Sequence, residues 1–183
     1  MTRFVALLRG INVGGKNLIR MSDLKACFEA NAFRRVRTYI QSGNVLFESA
    51  GGARTLAPRI EEMLTSTFDY PASVVLRTRR QMRAIVNHAP RGFGAEPTKY
   101  RYDVLFLKER LTAKSALASV PTREGVDRVH AGTGVLYFAR LTAKASQSRL
   151  SRLVSMPIYR EMTIRNWNTT TTLLEMLEEG PAD

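Results

Sequence analysis

Apolar residues in this chain fall into short runs and helix-spaced stripes that alternate in a regular order. Phe4-Val5-Ala6-Leu7-Leu8 is a continuous apolar run of strand length, as expected for a central strand buried on both faces. A Gly/Asn-rich loop follows, Gly10 to Asn17. Ser22 then offers a hydroxyl N-cap, and Leu24, Cys27 and Phe28 recur behind it at helical spacing, which makes Cys27 a core residue. Val36–Ile40 and Asn44–Phe47 read as strands joined by the hairpin turn Gln41-Ser42-Gly43-Asn44. Leu56, Ile60, Met63, Leu64 and Phe68 mark a second amphipathic helix, where Pro58 is compatible only near the first turn. Ser73–Leu76 is the next strand.

Thr78 and Gln81 form a capping-box pair for a short helix containing Met82, Ile85 and Val86. Pro90–Pro97 holds two prolines and two glycines, a linker composition. Beyond it the order returns. Tyr102–Leu107 reads as a strand, and Thr112–Ser119 as an Ala-rich helix ended by Pro121. Val126–His130 and Val135–Phe138 bracket the turn Gly132-Thr133-Gly134. Leu150, Leu153 and Val154 predict a helix, and Met162–Ile164 a strand. Leu173, Leu174 and Leu177 predict a last helix stopped by Gly180-Pro181.

Strand, helix, strand, strand, helix, strand therefore occurs twice. This is the order of the split βαβ, or ferredoxin-like, unit. The predicted fold is α+β: two tandem ferredoxin-like units with antiparallel sheets. The first spans residues 1–78. A linker helix and Pro/Gly-rich loop occupy 79–99, and the second unit spans 100–183 with a C-terminal helix. Right-handed crossovers place the third strand of each unit between the first and second. Topology alone thus brings the loop Arg9 to Asn17 to the same sheet end as the hairpin Gln41 to Asn44.

Charge adds a partner class. The 183 residues carry a net charge of +12, with 22 Arg and six Lys. Such an excess attracts anions, from small metabolites and nucleotides to nucleic acid. The basic residues are nevertheless spread along the chain, with short clusters at Arg34-Arg35-Val36-Arg37 and Arg77-Thr78-Arg79-Arg80. The stretch Glu175–Asp183 is acidic. One cysteine fits a reducing cytoplasm. No apolar run has the length of a membrane span, and the N-terminus lacks the features of a signal peptide, so a cytoplasmic protein with no membrane partner is expected.

Gly10-Ile11-Asn12-Val13-Gly14-Gly15-Lys16-Asn17 nearly spells a phosphate loop. Asn17 stands where that motif needs a Mg²⁺-binding hydroxyl, and the helix starts near Ser22 rather than at the Lys, so an NTPase is excluded. A cationic loop suited to an anion survives. In this reading Arg9, Gly14, Gly15 and Lys16 hold a phosphate or carboxylate. Asn12, Asn17, Gln41, Ser42 and Asn44 orient the rest of the ligand. The alternatives are a tight Gly turn joining strand to helix, and a hairpin whose polar groups serve only its own backbone. Arg165 and Trp167, at the end of the last strand, either clamp a planar anionic ligand or pin the terminal helix, with Asn168 or Thr169 as its cap.

Other chemistries lack their residues. His88 and His130 with a single Cys supply no zinc set, and an iron–sulfur cluster lacks its four cysteines. No G-x-S-x-G elbow is present. Arg91-Gly92-Phe93-Gly94 begins like an RNA-recognition strand but is broken by Ala95-Glu96-Pro97. No metal or cofactor is expected.

The blocks Phe4–Asn17, Val36–Val45 and Thr163–Thr169 resemble the bacterial family designated domain of unknown function 1697. The resemblance implies two ferredoxin-like α/β units and carries over no catalytic residue. Ile164 departs from the Thr or Ser often found there in that family. Three readings stay open: a binder of a small anionic ligand, a nucleic-acid module using sheet faces and Arg-rich surfaces, and a homodimer paired through edge strands.

Overall fold

A computed structural model describes residues 1–179. The first half contains β1 (Thr2–Leu8), α1 (Met21–Ala30), β2 (Arg34–Tyr39), β3 (Asn44–Ser49), α2 (Ala53–Phe68), β4 (Val74–Thr78) and α3 (Arg79–Asn87). The second contains β5 (Tyr100–Leu107), α4 (Ala113–Ser119), β6 (Asp127–Gly132), β7 (Val135–Leu141), α5 (Leu150–Leu153), β8 (Met162–Asn166) and α6 (Trp167–Glu178). Two antiparallel four-stranded sheets result, ordered β2-β3-β1-β4 and β6-β7-β5-β8. In both, the third strand lies between the first and second, the arrangement of tandem ferredoxin-like units.

The first unit packs α1 and α2 over Phe4, Ala6, Leu8, Val45 and Phe47. Its centre is aromatic: Phe47 stacks on Phe4 at 5.5 Å and meets Phe33 edge-on at 4.8 Å. The intervening residues Val5 and Leu7 are buried as well, which is why β1 reads as an unbroken apolar run. α1 starts earlier than its hydroxyl suggests. Arg20, in extended conformation, is the N-cap, and its carbonyl accepts from Asp23 N and Leu24 N. Ser22 lies inside the first turn, with its Oγ 3.3 Å from Asp23 Oδ1. α2 also starts early, at Ala53, so Pro58 sits beyond the first turn and withholds one helical donor. The apolar face of Leu56, Ile60, Met63 and Leu64 holds the helix in spite of this loss.

In the second unit Thr112 caps α4, its Oγ1 accepting from Ser115 N at 3.2 Å. The predicted helix around Leu150 is a single turn, flanked by 3₁₀ segments Thr142–Gln147 and Pro157–Glu161. Val154 is exposed. Buried Asp127 organises this region: its Oδ2 accepts from Arg123 N and Arg149 N, both at 2.9 Å. The helix α6 begins at Trp167, and its cap is Asn166, whose Oδ1 accepts from Thr169 N at 2.7 Å, not Asn168 or Thr169. The predicted stop at Gly180-Pro181 lies outside the described residues.

The compact units are Met1–Arg83 with the stretch from Leu173, and Ala84–Thr172. This division passes through α3 and α6 instead of falling at residues 78 and 99. Side chains explain both differences. The end of α6 is tied to the first unit, where Arg3 Nη1 donates to Leu177 O at 3.2 Å and Arg83 pairs with Glu178 at 2.8 Å. The Pro90–Pro97 stretch is packed into the second unit and is no free linker. Phe93 lies edge-on to Tyr102, Tyr137 and Trp167 at 4.8, 5.3 and 5.1 Å. Tyr137 Oη donates to Ile85 O at 2.6 Å, anchoring α3 there.

Candidate functional site

The loop leaving β1 and the β2–β3 hairpin meet at one end of the first sheet. Leu8 N donates to Gly43 O at 2.8 Å, and Arg9 N to Ser73 O at 2.9 Å. Asn12 makes the decisive contacts. Its Nδ2 donates to Gln41 O at 2.8 Å and to Ile19 O at 3.0 Å, while its Oδ1 accepts from Ile19 N at 2.8 Å. One side chain therefore staples three backbone groups on two residues, Ile19 and Gln41, and it does so from φ +53, a conformation Asn tolerates. Asn17, at φ +49, closes the loop base: its Nδ2 donates to Gly10 O at 2.8 Å and its carbonyl accepts from Asn12 N at 3.1 Å.

Between these staples the chain makes a miniature hairpin. Val13 and Lys16 pair, Lys16 N donates to Val13 O at 3.1 Å, and Gly14 and Gly15 both have positive φ. Two consecutive left-handed residues are what a type I′ turn requires, hence Gly-Gly. A Cβ on either glycine would meet nothing within 4 Å. Gly14, Gly15, Lys16, Asn17 and Gln41 are exposed, whereas Arg9, Asn12 and Ser42 are half-buried and Asn44 is buried. Asn44 Nδ2 donates to Tyr39 O at 2.9 Å and to Ser42 Oγ at 3.1 Å. Gly43, at φ +78, lies so close to Ile11 and Leu8 that an added Cβ would be 2.6 Å from Ile11 Cδ1.

The predicted residues thus divide by task. Asn12, Asn17 and Asn44 direct their amides at the protein's own backbone and build the rim. Gly14, Gly15 and Lys16 are displayed by it. Sequence reasoning missed Val13, Leu18 and Ile40, which are 65%, 76% and 47% exposed. Each directly neighbours a position that the Asn12 side chain joins. Ile40 also holds φ +47, an unfavourable conformation for a β-branched residue. The available signal was an apolar residue out of phase with the flanking strand and helix patterns.

Arg165 and Trp167 belong to the second unit. Arg165 is buried on β8, donating from Nη1 to Thr163 Oγ1 at 2.9 Å and Ile164 O at 2.8 Å. Burial pulls its guanidinium down to about 10, with Tyr159 acting in the opposite sense, so it stays charged at neutral pH. Trp167 packs against Phe93 and on Gly94, where a Cβ would be 2.4 Å from Nε1. Both side chains are engaged in the second unit's own packing. The central strands β1 and β5 bury consecutive residues, Phe4 to Leu8 and Val104 to Leu107, so they offer no open platform for stacked bases.

Residues 1–137 match the family described as "Protein of unknown function (DUF1697)". The chain belongs to the DUF1697 family. A solved structure described as a conserved bacterial protein from Streptococcus pneumoniae is similar to this DUF1697 chain over 96% of its length and 98% of the other, with TM-score 0.83 and 27% identity. No curated protein matches. The match with the Streptococcus pneumoniae protein thus extends to nearly the whole chain, both ferredoxin-like units included.

Proposed function

We propose that this protein is a binding module that takes up a small anionic ligand, bearing phosphate or carboxylate, on the rim formed by residues 9–17 and 41–44. The observation that carries the reading is the Asn12 staple. It holds a loop whose tip carries two exposed glycines beside Lys16, so little ordering entropy is lost when an anion arrives. No Asp or Glu lies between Arg9 and Ser22 or between Tyr39 and Phe47, so the charges that these two segments themselves bring to the rim are all positive. The single cysteine, buried and free, supports a cytoplasmic setting.

The test is titration of the whole chain with inorganic phosphate, citrate and AMP at constant ionic strength, followed by amide NMR. Shifts confined to Gly14, Gly15 and Lys16, weakened about fivefold or more in Lys16→Ala, are expected. Shifts absent there, or spread over all basic surfaces, overturn the reading.

A further inference from the structure

The rim carries an apolar component that a small anion does not explain. Of six large hydrophobic residues exposed among the described residues, Val13, Leu18 and Ile40 are the chain neighbours of Asn12 and of the two residues it bonds, Ile19 and Gln41. Lys16 and Arg20 on the same loop are both exposed, and the loop and hairpin segments themselves contain no acid. The Lys16 side chain has no ion pair among the described residues. Val13 and Leu18 stand on a projecting two-residue hairpin and its exit, with open space over both glycines. Exposed apolar side chains beside exposed cations are complementary to a soft anionic surface, where apolar side chains enter the headgroup–acyl boundary and cations meet phosphates. Ile40 strengthens the case, since a strained left-handed backbone is kept at a position that exposes an isoleucine to water.

We infer that the anionic groups recognised by this rim are the headgroup phosphates of a phospholipid surface, with Val13, Leu18 and Ile40 inserting beside them; this rests on the anion reading above. No helix among the described residues is long and apolar enough to cross a membrane, so the attachment is peripheral and reversible. The inference departs from the sequence-based expectation of no membrane partner, which rested on apolar run length and the N-terminus, whereas loop-tip exposure is a property of the fold.

The experiment is co-sedimentation of the full chain with vesicles of phosphatidylcholine alone or mixed with phosphatidylglycerol, in low and moderate salt. Binding to the phosphatidylglycerol vesicles is expected. It should fall about tenfold in the double variant Val13→Ser, Leu18→Ser, and about fivefold in Lys16→Ala. Leu117→Ser, an exposed apolar position in the second unit, should change nothing. Ile40→Asn guards against unfolding as an explanation: Asn accepts the left-handed backbone, so Tm should rise while vesicle binding drops. Absence of vesicle binding overturns the inference, as does binding indifferent to Val13 and Leu18, which is adsorption by net charge. Apolar-dependent binding with no preference for phosphatidylglycerol also overturns it. If phosphate alone still shifts the Gly14 and Gly15 amides in any of these cases, the small-anion reading stands without the lipid.

Discussion

Asn12 Nδ2 donates to the carbonyl oxygen of Gln41 at 2.8 Å, across 29 residues of sequence, and this bond joins the two segments of the candidate site. It matters more than a surface hydrogen bond between mobile loops would. The same amide group also grips Ile19 at both its N–H and its C=O, so loop exit and hairpin are held by one rigid planar group.

Replacing Asn12 by Ala removes three hydrogen bonds and leaves a Cβ residue at positive φ. A loss of about 2–4 kcal/mol in stability is expected, with Asn12→Gly somewhat milder because glycine accepts that backbone. Urea midpoints at unchanged m-value measure this. Hydrogen exchange at Ile19 should accelerate in both variants. A loss below about 0.5 kcal/mol would show that the staple does not hold the loop.

The glycines of the two turns should respond in opposite degree. Gly43→Ala places a Cβ against Ile11 and Leu8 at positive φ and should cost about 2–4 kcal/mol. Gly14→Ala faces open space, so only the left-handed penalty of about 1 kcal/mol remains. Thermal unfolding of the pair gives the comparison, and equal effects would contradict the packing described for the hairpin.

Two buried tyrosines predict an alkaline limit. Burial pushes the phenols of Tyr70 and Tyr137 up to about 12 from 10; for Tyr70, Cys27 and Glu61 add to the effect. Below pH 10 both rings are neutral in the folded and unfolded chain, and their contribution to stability is fully present. Between pH 10 and 12 the unfolded chain ionises first, so about 2–3 kcal/mol per ring is lost. Tyrosinate absorbance on raising pH should show late-titrating rings coincident with unfolding. At neutral pH the two differ: Tyr137→Phe forfeits the 2.6 Å bond to Ile85 O and costs about 1 kcal/mol, whereas Tyr70 Oη is buried without a hydrogen bond and Tyr70→Phe should be neutral or stabilising.

Trp167, the sole tryptophan, reports on the packing of the 90–97 stretch. Gly94→Ala drives a Cβ into the indole and should destabilise the second unit by about 2–3 kcal/mol. It should also shift the emission maximum to the red. Emission unchanged from the parent would mean the ring and Gly94 are not in contact.

How much of this was legible beforehand follows from the range of the interactions involved. Local spacing was enough for the eight strands, for the twofold recurrence of elements and for the pairing of Thr78 with Gln81, whose Oε1 accepts from Thr78 N at 2.9 Å. These depend on residues within one turn of each other, or on a period of two, and both are printed in the order of letters. Even the adjacency of loop and hairpin was accessible, because crossover handedness leaves one arrangement. Where two local signals competed, reading failed: Ser22 was a plausible cap, but the Arg20 carbonyl had already begun the helix. Membership of residues in each compact unit was likewise hidden, since Phe93 and Leu177 are placed by partners many residues away. Only the tertiary structure decided which side chains of the rim are spent on its own backbone and which face water. Asn12 and Lys16 are both polar residues in one loop, and nothing in their letters distinguishes a staple from a ligand. The difference arises because a buried carbonyl such as that of Ile19 must find a donor, and folding brought it to Asn12. Val13, Leu18 and Ile40, apolar by letter, were left outside by the same closure.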